Sequence, residues 1–135
     1  MELRSIGKEM RKMCKMVPLE NGSLVADIKY KHIQNISKEA SKCRNISRVI
    51  LFGSSTEERC TNRSDIDIAV FGKQAKTKYL RSREYMKFRH NIFQYDMDQE
   101  YDILYFEDGK RNNDQIMKEI DKGIELYRSI SDGAN

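Results

Sequence analysis

The stretch Arg48-Val-Ile-Leu-Phe52, Gly53-Ser54 and, after a short gap, Asp65-Ile-Asp67-Ile-Ala-Val-Phe71-Gly72 decides the fold. It holds two apolar runs of strand length. One is closed by a glycine-serine turn and the other is opened by paired carboxylates, which reads as two neighbouring strands of a buried sheet. Side chains alternate along a strand. Asp65 and Asp67 therefore project on one face, about 7 Å apart, while Ile66, Ile68 and Val70 turn the other way into packing.

Two carboxylates on one face repel each other unless a cation sits between them, and hard oxygen ligands select magnesium or manganese. A third carboxylate, Asp102, stands near the start of another apolar run, Tyr101 to Phe106. If that run pairs beside the second strand, Asp102 completes the cluster, bridging a second metal or taking a proton from an attacking hydroxyl. Gly53 and Ser54 lie where a strand turns. Glycine lets the backbone approach a phosphate closely, and the serine hydroxyl and following amides can donate to it. A second Asp-x-Asp, Asp96-Met-Asp98, has neither the turn upstream nor a strand around it and reads as a solvated helix-to-strand connection.

Working outward, Met1 to Met16 is basic and reads as a helix, broken by Pro18 and Asn21-Gly22. A second helix is expected from Ser23, as N-cap, to about Cys43, with Val25, Ile28, His32, Ile36 and Ala40 as its inward stripe. A short helix is expected over Ser55 to Cys60 and a loop over Thr61 to Arg63. Lys76 to about Phe93 reads as one basic helix, its charges a solvated face and Tyr79, Tyr85, Phe88 and Ile92 its inward stripe. A last helix is expected from about Asn113, burying Met117, Ile120, Ile124 and Tyr127. The expected class is α/β (α+β): a small mixed sheet of three to four strands flanked by helices. Residues 1–22 form a helical extension in this reading and 23–135 the functional domain.

Composition narrows the class without choosing within it. The chain has 135 residues, a net charge of +4 and three scattered cysteines, which give neither a disulfide framework nor a zinc pattern. Without a leader-like segment or long apolar run, the expectation is a cytoplasmic protein with reduced thiols and no membrane partner. The mild positive charge leaves nucleic-acid binding open.

Leu51-Phe-Gly-Ser-Ser55 followed by Ser64-Asp-Ile-Asp-Ile-Ala-Val70 resembles the signature of the polymerase-beta-type nucleotidyltransferase superfamily, above all its short members, the minimal nucleotidyltransferases. The similarity runs from about Ser23 to Arg128, and Ile120-x-x-Gly123-Ile-x-x-Tyr127 resembles the family's final helix. The resemblance implies that Asp65, Asp67 and Asp102 are the catalytic carboxylates and ligate Mg2+ or Mn2+. Gly53 and Ser54, with Ser55, Arg63 and Ser64, are then the candidate nucleotide-binding residues, and ATP or another nucleoside triphosphate is the substrate.

One departure stands out. Family members often carry an arginine just after Gly-Ser, where this chain has Ser55-Thr56-Glu57-Glu58, so Arg59 and Arg63 are the candidate replacements. Because the chain spans little beyond such a catalytic core, its acceptor surface is expected from a partner chain or from the acceptor itself. The implied setting is a toxin–antitoxin pair. In it this chain is the antitoxin and attaches AMP to a small helical HEPN-type protein. The alternatives are a small-molecule transferase of the aminoglycoside-modifying kind, its acceptor pocket built with a homodimer partner, and an inactive antitoxin that acts by contact alone.

Overall fold

The computed structural model describes residues 14–110 and 114–130. The two apolar runs form its centre: Ile46–Phe52 (β3) pairs antiparallel with Ile66–Gly72 (β4). Tyr101–Glu107 (β5) lies parallel to β4, and Ile124–Arg128 (β6) lies antiparallel to β3. The resulting four-stranded mixed sheet has the order β5-β4-β3-β6. A separate two-stranded hairpin joins Met16–Pro18 (β1) to Leu24–Ala26 (β2).

Among the described residues there are four α-helices: Tyr30–Ala40 (α1), Lys76–Tyr79 (α2), Arg83–Tyr95 (α3) and Gln115–Asp121 (α4). Strand alternation sorts the core into two layers. On one face Val49, Leu51, Ile66, Ile68 and Val70 pack with Ile33, Ile36 and Ala40 of α1 and Phe88 and Ile92 of α3. On the other, Ile50, Phe52, Ala69 and Phe71 pack with Met117 and Ile120 of α4. Ile66, Ile68 and Val70 are wholly buried, each contributing about 1.5–3 kcal/mol of transfer free energy. The mixed sheet flanked by helices matches the expected class.

Several element readings need correction. Of the helix expected over Met1 to Met16, residues 1–13 lie outside the described ones, and Met16 opens a strand. The boundary expected at 22/23 falls in the turn of the β1–β2 hairpin, where the Ser23 carbonyl accepts from the Leu19 amide at 2.8 Å. Ser23 is therefore no helix cap. A 3-10 turn, Asp27–Lys29, leads into α1 instead; Ile36 and Ala40 face the core as expected, and Ile33 takes the inward place read for His32.

The long basic helix is broken at Ser82, whose hydroxyl caps α3 by accepting from the Tyr85 amide at 3.1 Å. Glu84, the lone acid of that run, leaves solvent to accept from the amides of Arg44 (2.9 Å) and Asn45 (3.1 Å) and from the Tyr79 hydroxyl (2.8 Å). The expected last helix ends at Asp121. Ile124 and Tyr127 belong to β6, because Gly123 packs so closely on β3 that a Cβ there would strike the Leu51 carbonyl.

Candidate active site

Register places the carboxylates. Phe52, the last residue of β3, faces Asp67 across the antiparallel ladder, and Asp67 faces Asp102 across the parallel one. Both aspartates project on the α4 side of the sheet, at the end that α4 leaves open. Asp65 immediately precedes β4, and the Ile66 amide donates to the Glu100 carbonyl at 3.0 Å, tying the two strand entrances together. Asp65 and Asp102 are exposed and Asp67 is half-buried.

Burial pushes the Asp67 carboxyl up to about 6, and the neighbouring Asp102 and Asp65 carboxylates push it the same way. No basic side chain is among the causes of that shift, which is the electrostatic mark of a site suited to a cation. Among the described residues, no three His, Cys, Asp or Glu side chains stand as a ready-made ligand cluster. An all-carboxylate donor set fits Mg2+ or Mn2+ better than softer metals.

Gly53 sits beside this group. Its φ of +79° is a left-handed conformation that glycine adopts freely, and a Cβ there would run into the Asp67 carboxylate. The chain then makes a 3-10 turn, Gly53–Thr56, in place of the expected Ser55–Cys60 helix. The Thr56 hydroxyl donates to the Gly53 carbonyl at 2.8 Å and the Glu57 amide to the Ser54 carbonyl at 2.9 Å.

The other candidate nucleotide-binding residues divide. Ser54 is half-exposed at the turn. Ser55 is turned fully inward, its hydroxyl buried without a partner among the described residues, so its side chain lies behind the turn and not on the open side. Tight 3-10 winding is what rotates it there. The Ser64 hydroxyl accepts from the Thr61 amide at 2.9 Å and so shapes the loop before Asp65. Arg59 is paired with Glu57. Arg63 is exposed and makes no ion pair among the described residues, which leaves it the freer of the two candidate cations.

Two buried polar residues near the site escaped the sequence reading. Lys29 is 1% exposed and Gln99 6%. The Lys29 ammonium donates to the Gln99 side-chain oxygen at 2.6 Å and to the Ser64 carbonyl at 2.8 Å. A lysine inside an apparently amphipathic segment gives no local hint that it points inward. Asp96, read as solvated, meets His32 at 2.9 Å and accepts from the Asp98 amide at 3.0 Å. The His32 hydrogen bond, with the amide behind it, holds the Asp96 carboxyl below the usual range. It shapes the approach to β5 and stands apart from the carboxylate group.

A family model described as "Polymerase beta, Nucleotidyltransferase" matches residues 34–131. The chain belongs to this family. The matched region contains the whole main sheet, Gly53 and all three aspartates, while the β1–β2 hairpin and Lys29 precede it. No curated protein matches the chain. Among the described residues no helix is long and apolar enough to cross a membrane.

Proposed function

We propose that this nucleotidyltransferase-family protein uses Mg2+ or Mn2+ to move AMP from ATP, or the monophosphate of another nucleoside triphosphate, onto a hydroxyl of a protein acceptor. The observation that carries the reading is the parallel register of Asp67 with Asp102 beside the positive-φ Gly53. Asp65 and Asp67 would hold the ion, which supplies charge neutralisation at the α-phosphate and the departing pyrophosphate. Gly53 and Ser54 offer backbone amides to the phosphates, and Arg63 supplies a cation within the same loop. Asp102, exposed at the mouth, accepts the proton of the attacking hydroxyl as its oxygen bonds to the α-phosphorus and the bond to pyrophosphate breaks.

The acceptor we favour is a small helical HEPN-type protein, with this chain as its antitoxin. The support is the likeness to the minimal nucleotidyltransferases. A contact-only antitoxin is the second reading, favoured by the inward turn of Ser55 and the pairing of Arg59 with Glu57. Incubation of the protein with labelled ATP, Mg2+ and the partner separates them. Label on the partner, lost in Asp67→Asn, supports transfer. Tight binding of the partner with no label on any acceptor, aminoglycosides included, contradicts transfer.

A further inference from the structure

Resting on that reading, we propose that Lys29 is a positioning residue whose buried ammonium locks together the two loops that deliver Asp65, a would-be ligand of the divalent ion, and Asp102 beside it. Lysine is almost never fully buried unless its charge is satisfied. Here all three donors have acceptors: the Gln99 side-chain oxygen at 2.6 Å, the Ser64 carbonyl at 2.8 Å and the Asn62 carbonyl at 3.3 Å.

None of these acceptors is a carboxylate. The Asp65 and Asp96 carboxylates act on the ammonium only through space, and desolvation by burial outweighs them and pulls its pKa down. An apolar side chain of the same length would avoid that cost. What the ammonium supplies instead is convergence, because three oxygens from two loops point at one atom.

Those loops are the entrances to the carboxylate-bearing strands. Ser64 is bonded in sequence to Asp65, and Gln99 lies just before β5 and Asp102. Gln99 doubles the link by donating to the Ser64 carbonyl at 3.1 Å and to the Glu100 carbonyl at 2.7 Å. Glu100 in turn accepts from the Ile66 amide. Lys29 thus reaches the site from the 3-10 turn before α1, a segment that precedes the family match at residue 34. Groups that orient metal ligands from behind typically change metal affinity 10–100-fold when removed.

The test is Mn2+ binding to the full chain, followed by the electron-spin resonance of free Mn2+ well below every variant's melting temperature. Lys29→Met keeps the volume and removes the donors, and should weaken Mn2+ binding by about tenfold or more. Gln99→Leu should weaken it less, and it carries the test if Lys29→Met does not fold. Ser82→Ala, which uncaps α3 on the opposite face of the sheet, should lower the melting temperature and leave Mn2+ affinity as it was. Wild-type affinity in a folded Lys29→Met, or in Gln99→Leu where Lys29→Met fails to fold, overturns the inference alone. So does an equal loss in Ser82→Ala, since general loosening then explains the effect. If the wild-type protein binds no Mn2+, the proposed function fails and the inference falls with it.

Discussion

Asp67 has the highest stakes of the single residues. Its native carboxyl titrates near 6 against an ordinary value of 3.8, so folding favours its protonated form. The stability this contributes is fully present below about pH 4 and is lost as pH rises through about 6. Asp67→Asn should therefore flatten the fall in melting temperature between about pH 4 and about pH 6.5 relative to wild type. Parallel pH-dependent slopes in the two proteins would show that Asp67 is not under that strain. Gly53→Ala forces a left-handed residue against the Asp67 carboxylate and should cost about 1–3 kcal/mol in urea unfolding. At this scale the sequence was informative where chemistry is local. Strand alternation put the aspartates on one face, and the step from strand to glycine located the turn. Ser55 was named but its inward turn was not foreseen, and Lys29 was missed, because inward rotation depends on the 3-10 geometry at each, which no side-chain pattern announces.

At the scale of elements, the strands bearing the carboxylates were legible, since both are short apolar runs with clear ends. The helices were less so. Met117, Ile120, Ile124 and Tyr127 have helical spacing, yet the close approach of Gly123 to β3 ends α4 and turns the chain into an edge strand. Likewise Leu24–Ala26 extends the helical periodicity of α1, but pairing with β1 claims it. The signal at Ser82 was readable, being a serine three residues before Tyr85, but the run of basic residues hid it. Ser82→Ala should cost about 1 kcal/mol of stability by chemical denaturation and leave nucleotide transfer unchanged. A large loss of transfer would mean that α3 reaches the site.

Across the whole molecule, the two faces of the sheet have separate tasks. α1 and α3 seal one face with the larger core, while α4 covers only part of the other and leaves the carboxylate end open. A stable scaffold can then carry mutually repelling acids, because the strain at Asp67 is small beside the burial across the rest of the sheet. On the proposed reading, in which both bind the native state alone, Mg2+ with a nucleoside triphosphate should raise the melting temperature at neutral pH. The proposed acceptor is where the sequence is least informative, because no motif in it specifies what a hydroxyl-bearing acceptor would dock against.

The most direct measurement is calorimetric titration of a non-hydrolysable ATP analogue, with Mg2+, into wild type and Asp67→Asn. Saturable binding by the wild type, lost without Mg2+ and lost in the variant, is the predicted result. Binding that survives both changes, or none by the wild type at millimolar analogue, contradicts a nucleotide site built on Asp65, Asp67 and Asp102.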